Sequence, residues 1–314
     1  MHYQGIIPGR PFPVNRPLTE QDRKYHLHQD ERLEGVTPYP DLIVVKLNST
    51  YLEVVDKYYG WKGYLTFWAF ALVTLFSVIG ILFGYSSVEK FIEGKSIAYL
   101  GGAISLILLS GAIGVFLAFR FEWAYYTHYP IRLNRKTQTV HVFRKNGSVL
   151  SVPWKDIFFT LDHDARFWEI RGHVLGGDSE TVKETLVLGV SSINNREGMR
   201  KLNSHWEFFR RYMAEGPEAV VNYVKWAMPV DGKRESFRVG YECLMSHFRD
   251  TTTTLGFLMY VVMWPLLVLA SLGRWVAMRL SKLPKWPSEI EAVNVVDPDD
   301  PVRIDARINP PELR

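Results

Sequence analysis

Three runs without Asp, Glu, Lys or Arg interrupt this chain: Gly63 to Val88 (26 residues), Ser96 to Phe119 (24) and Thr251 to Gly273 (23). A helix needs roughly 20 apolar residues to cross the hydrocarbon core of a bilayer, so each run is a candidate membrane segment. The first holds 13 Leu, Ile, Phe or Val residues, an insertion drive of up to about −4 to −8 kcal/mol. Only the polar stretch Glu89 to Lys95 separates it from the second run, which predicts a helical hairpin with spans of about 63–88 and 96–119. Trp61, Tyr64 and Trp68 at one end, with Phe121, Trp123, Tyr125 and Tyr126 at the other, form an aromatic belt at one membrane face.

The third run is interrupted by Trp264-Pro265 in its middle, where proline removes a helical hydrogen bond. Either a kinked span or a re-entrant segment fits. Charge decides the expectation. Arg274, Arg279, Lys282 and Lys285 follow this run; Lys46, Lys57 and Lys62 precede the hairpin, and Arg120, Arg132, Arg135 and Lys136 follow it. The hairpin turn has only Lys90 and Lys95, balanced by Glu89 and Glu93. Positive charge stays on the cytoplasmic side, so a segment that dips into the membrane and returns is expected. The N-terminus, the 130–248 region and the tail then face the cytoplasm, with 89–95 alone on the opposite side of the membrane.

Small residues recur at four-residue steps: Gly80 and Gly84 in the first span, Gly101 and Ser105 and then Ser110 and Gly114 in the second. This spacing lets helix backbones approach closely in lipid. Packing within the hairpin is the expected use, and a homo-oligomer seam is the alternative.

From Pro130 the period changes to that of strands. Ile131 and Leu133, then Val140 and Val142, alternate with polar residues, and Asn146-Gly147 is a hairpin-turn dipeptide. Val149 to Trp154, Trp168 to Val174 and Thr181 to Leu188 continue an antiparallel meander of about five strands. A helical stripe follows in Met199, Leu202, Trp206, Phe209 and Met213, with Asn194 and Glu197 as a capping-box start and Gly216-Pro217 as the stop. The fold class is therefore an α+β membrane protein, with the transmembrane hairpin followed by a small antiparallel sheet closed by a helix, a pleckstrin-homology-like plan. Its expected divisions are a polar N-terminal segment (1–60), the hairpin (61–126), a soluble domain (127–250), the third hydrophobic segment (251–280) and an extended proline-rich tail (281–314). The amphipathic stretch Ser236 to Phe248 is expected to pack on the soluble core.

Few chemistries find support. A net charge of +4 with interspersed signs argues against nucleic-acid binding. One cysteine, Cys243, excludes an internal disulfide. His26 and His28 lack the spacing of a zinc pair, Asp162-His163-Asp164 falls where a turn is needed, and His173 lies in a strand. There is no phosphate loop, dinucleotide fingerprint or nucleophile elbow. Residues 1–13 have neither the basic start nor the apolar core of a signal peptide. No catalytic residue, metal or cofactor is expected. Arg132, Arg135 and Lys136 could meet anionic lipid headgroups.

Four phrases carry a resemblance: Pro130 to Lys136; Val152-Pro153-Trp154; Ile170 to Leu175; and Trp206 to Met213, ending at Glu215-Gly216-Pro217. They resemble an uncharacterised family of bacterial membrane proteins encoded beside type VI secretion spike proteins and effectors. The resemblance implies an inner-membrane protein of an effector module that binds membrane lipid and a protein partner, an effector or spike protein. The expected function is non-enzymatic, as an immunity protein or loading adaptor. The alternative is a membrane-inserting toxin that depolarises recipient cells.

Overall fold

The computed structural model describes residues 12–163, 167–249 and 254–314. The chain begins with β1 (Arg16–Pro17), α1 (Glu20–Lys24), β2 (His26–Leu27), β3 (Val44–Asn48) and β4 (Tyr51–Val54). The long helices α2 (Tyr64–Ile92) and α3 (Ile97–Phe119) and the short α4 (Phe121–Ala124) follow. Six strands come next: β5 (Ile131–Asn134), β6 (Thr139–Phe143), β7 (Val149–Pro153), β8 (Ile157–His163), β9 (Phe167–Leu175) and β10 (Thr181–Ile193). The chain closes with α5 (Arg196–Glu215), α6 (Phe237–Arg249), α7 (Thr254–Leu280), α8 (Ser288–Val293) and β11 (Arg303–Ile304).

These elements divide into two compact units: a body made of 1–60, 126–235 and 283–314, and a helical unit made of 61–125 and 236–282. The body holds two antiparallel sheets, ordered β1-β10-β9-β8-β2 and β11-β3-β4-β5-β6-β7. The expected single meander is thus shared between two sheets. The break falls at Pro153, which has no N–H to continue a ladder, and a single 3₁₀ turn at Trp154–Asp156 leads into β8.

The N-terminal segment and the tail, expected to stand apart, both belong to the body. Strands of two to five residues gain little alone and persist by pairing with distant partners. β1 pairs with β10, β2 with β8 and β11 with β3. β4 pairs directly with β5, Val54 opposite Ile131, so the whole α2–α4 excursion is inserted between two neighbouring strands. The tail is held by side chains as well. Asp300 accepts from Ser49 N (2.8 Å) and Ser49 Oγ (2.7 Å), and the Asn309 amide exchanges bonds with both backbone groups of Ala227.

Helix α5 starts at Asn195 rather than Asn194: the Asn195 side chain accepts from Gly198 N at 2.6 Å. Leu202, Trp206, Phe209 and Met213 are buried as the periodicity requires, and the helix packs on β9 and β10. Its polar side is buried too, because the segment before β3 lies over it: Tyr39 N donates to Ser204 O, Leu33 N to Glu207 Oε1 and Arg211 Nη2 to Val36 O. At Gly216, φ is +106° and its N–H reaches back to Arg211 O, which ends the helix.

In the helical unit, α2 and α3 pack as a hairpin. Among the described residues, three helices are long and apolar enough to cross a membrane, over Tyr59–Ile92, Ile97–Phe119 and Tyr260–Leu280. From Thr254 on, the third run is helical without a reversal. α7 is one continuous helix of 27 residues with Pro265 inside it. α6 packs on α7 and belongs to the helical unit; its Val239 and Met245 are buried.

Candidate functional site

The body's most concentrated constellation lies on one face of the six-stranded sheet. Strand register places Lys46, Glu53, Arg132, His141 and Ser151 side by side across five strands. Alternation sends the neighbouring row, Leu52, Leu133, Val140 and Val152, to the opposite face. Arg132 is 3% exposed. Its Nε donates to Glu53 at 2.5 Å and its Nη2 to Glu291 at 3.0 Å, while the guanidinium lies 4.6 Å from the Tyr51 ring centre and 4.8 Å from that of Trp286. Glu291 and Trp286 both come from the tail. The arrangement is a clamp: a planar cation held by two carboxylates and two aromatic faces ties the tail to the sheet.

His141 completes the row, with Nδ1 2.8 Å from Ser151 Oγ. Burial, and then the Arg132 charge, push its pKa down to about 4. Arg132 Nη1, His141 Nε2 and Trp286 Nε1 are buried without a hydrogen-bond partner.

Two further clamps pin other peripheral segments. Asp22, 1% exposed, accepts from Arg16 at 2.6 Å and from Thr19 N at 2.8 Å; its other oxygen lies 3.4 Å from His173 Nε2, whose Nδ1 is 2.9 Å from Thr185 Oγ1. Burial alone would raise the Asp22 carboxyl, but His173, Arg16 and Thr19 together hold it well below the usual carboxylate range. Although Asp, His and Thr stand in relay order, His173 is fully buried, so this set fastens the N-terminal segment to the five-stranded sheet. The third clamp is Glu207, which accepts from Arg210 at 2.8 Å and Arg211 at 2.7 Å besides Leu33 N.

Among the described residues, the helical unit has one buried charged cluster, at the start of α2. Gly63 caps this helix without a side chain of its own. The carboxylate of Glu122, on α4, supplies the cap by accepting from Gly63 N (2.8 Å), Thr66 N (2.5 Å) and Thr66 Oγ1. Lys62 Nζ donates to the Glu122 carbonyl, and Arg274 Nη1, on α7, donates to Lys62 O at 3.1 Å. Gly63 has φ +92°, and a Cβ there would stand 2.1 Å from Arg274 Cα. Backbone contact of this kind brings α7 against the first turn of α2.

The residues singled out from spacing have separate placements. Gly80 packs on Leu108 and Leu109, Gly84 on Ser105 and Gly101 on Ser87, all within the hairpin. Ser110 and Gly114 lie on the exposed side of α3, with nothing within 4 Å of a Cβ at Gly114. Near the turn, Ser87, Phe91, Gly102 and Leu106 line an open apolar groove of about 430 Å³. Of the three basic residues considered for headgroup contact, Arg132 is inside the clamp, where a lipid does not reach it; Arg135 is half-buried and Lys136 is exposed. His26 stacks on Phe158 at 4.0 Å between ring centres. Among the described residues no group of three or more His, Cys, Asp or Glu could hold a metal ion.

Sequence reasoning missed Glu53, Glu291, Trp286 and Glu122. The signal for Glu122 was present: a lone acid among aromatic residues directly after an uncharged span.

Together these features define a mixed α+β chain whose two-sheet body is interrupted by helical excursions, with three described helices long and apolar enough to cross a membrane, consistent with a multi-pass membrane protein. The chain belongs to DUF6708, a family of unknown function, which matches residues 108–298, well over half of its length. No curated protein and no solved structure matches it significantly.

Proposed function

We propose that this protein is a non-enzymatic, membrane-anchored binding protein in which the helical unit fixes the body at one membrane face and the body grips a protein partner. The observation that carries this reading is the insertion of α2–α4 between the paired strands β4 and β5. The chain leaves the body and returns to it through two neighbouring strands, so this part of the anchor is covalently tied to the body at both of its ends. The arrangement of strands β3 to β10 around α5 is compatible with a pleckstrin-homology-like plan with a membrane hairpin inserted into it. The four phrases noted above all lie within the family match. On their resemblance, the setting is a bacterial inner membrane with the body in the cytoplasm, and the role is that of an immunity protein or loading adaptor in a type VI secretion effector module.

Affinity capture of the tagged full chain from membranes is expected to recover an effector or a spike protein encoded nearby. Deletion of the gene is expected to abolish self-protection or effector delivery. Deletion without cost to either, together with capture of no secretion component, overturns the reading. Rapid depolarisation of a host that expresses the chain alone would replace it with the toxin reading.

A further inference from the structure

We propose that α6 and α7 form a wedge that enters the lipid from the body's side and leaves on that same side, with bilayer acyl chains against the open apolar face of α7. This rests on the membrane-anchor reading above and adds a second, different contact with the membrane.

The argument starts from strand pairing. Val54 is paired with Ile131, and Ile304 with Leu47, while Asn309 is bonded to the backbone of Ala227. Neighbouring strands stand about 5 Å apart, so a bilayer cannot pass between them. The stretches ending at residue 60, running from 126 to 235 and starting at 283 therefore share one side of the membrane. Each excursion between them must cross an even number of times. The first has two helices of spanning length, α2 and α3. The second has α7, with 27 residues, but α6 has only 13. At 1.5 Å per residue these are about 40 Å and 20 Å long, against a hydrocarbon core of about 30 Å. α7 could cross once, yet α6 is too short to return, and it carries Arg238, Glu242 and Arg249. Zero crossings remain.

Contacts within the helical unit show where the wedge is rooted. The last turns of α7 meet the start of α2 at Gly63 and Arg274, a Cβ on Gly273 would lie 2.9 Å from Phe67 Cβ, and Lys282 N donates to Tyr125 O at 2.8 Å. The guanidinium of Arg279 lies 5.5 Å from the ring centre of the half-exposed Trp275, a pairing suited to the headgroup layer. From this root α7 runs back alongside α6, where Trp264 Nε1 donates to Tyr241 Oη at 3.1 Å. Val261, Val262, Leu266, Leu269 and Leu272 are each between 46% and 65% exposed. Acyl chains suit this face because α7 is packed in one unit with α2, whose own outward residues, such as Ile81 and Leu82, are as apolar and as exposed.

The test uses the full chain with Cys243 replaced by alanine and one new cysteine at Glu93, Lys136 or Arg249. A membrane-impermeant maleimide is applied to right-side-out and inside-out vesicles. Glu93→Cys is expected to react from one side and Lys136→Cys from the other. Arg249→Cys is expected to react, if at all, from the Lys136 side, and at least about tenfold more slowly from the Glu93 side. Reaction of Arg249→Cys from the Glu93 side at the rate of Glu93→Cys overturns the wedge. Reaction of Glu93→Cys and Lys136→Cys from the same side instead overturns the anchor reading. A bimane probe on Val262→Cys, in vesicles containing nitroxide-labelled lipids, is expected to be quenched more by shallow than by deep labels. No quenching by either would show a protein-covered face and would also overturn the wedge.

Discussion

The body and the helical unit bury charge for different ends. In the body, three buried networks each fasten a peripheral stretch of chain to the sheets: Arg132 with Glu53 and Glu291 holds the tail, Asp22 with Arg16 and His173 holds the N-terminal segment, and Glu207 with Arg210 and Arg211 holds the stretch before β3. In the helical unit, the hairpin spans carry no charge, and Glu122, Lys62 and Arg274 meet only where α7 joins α2. Small residues do the rest of the packing there. Water drives burial of the body's apolar core, so its charges are left to specify which segment docks where. Lipid gives no such drive between helices, and close backbone approach must hold them together.

The largest effect is expected on the body's side of this comparison. Arg132→Leu leaves Glu53 buried without its cation and releases Glu291 and Trp286, a loss of about 3–5 kcal/mol. Limited proteolysis should then cut the tail, with the helical unit unaffected. Replacing Glu53 by leucine as well should restore part of the stability, since the stranded charge is gone; no recovery in the double variant would show that the tail is held by other means.

Next in size is Gly63→Ala in the helical unit. The left-handed backbone and the overlap with the Arg274 backbone together cost about 2–4 kcal/mol. Thermal unfolding in detergent should shift down while the protease resistance of the tail persists. Loss of both at once would erase the distinction between the two units.

A smaller effect separates two glycines of similar sequence context. Gly84→Leu collides with Ser105, whose Oγ would lie 2.9 Å from a Cβ at Gly84, and should cost about 1–3 kcal/mol of hairpin stability. Gly114→Leu projects into open space and should stay within about 0.5 kcal/mol. Equal losses in detergent melts would mean that Ser110 and Gly114 meet another helix.

Acid should touch the body most gently. Burial holds His205 at a pKa of about 4, below its ordinary value of 6.5. The unfolded chain therefore binds more protons between those values. The contribution of His205 is fully present above pH 6.5 and is lost as pH falls toward 4, by about 1 kcal/mol at pH 5.5. His141 shifts in the same direction. Tryptophan fluorescence of the full chain, followed through denaturation at pH 7 and 5.5, measures the change. His205→Leu should flatten the dependence, and an unchanged slope would remove His205 as its source.

Legibility in the sequence followed the range of each interaction. The hairpin spans, the strands from Ile131 onward, the Asn146-Gly147 turn and the stripe of α5 all rest on contacts within a few residues, and periodicity reports those directly. The clamp on Arg132 does not. Glu53, Arg132 and Glu291 are far apart in the chain, and Arg132 reads as one more basic residue beside the membrane until β4, β5 and the tail converge on it. α6 shows a related limit: an amphipathic pattern says that one face is buried but not against what, and the packing on α7 is visible only in the fold.

What the sequence alone determined is the presence of helices long and apolar enough to cross a membrane, because each rests on some two dozen residues without charge, and the presence of an antiparallel sheet capped by a helix. The tertiary structure alone decided that β1 to β4 and the tail complete that sheet system, and that α2–α4 are inserted between paired strands. It also decided that Pro265 lies in an unbroken helix. Short strands such as β3, β4 and β11 carry too little local preference to declare themselves. They exist because distant partners bury their backbone groups and side chains, and that selection is made only when the whole body assembles.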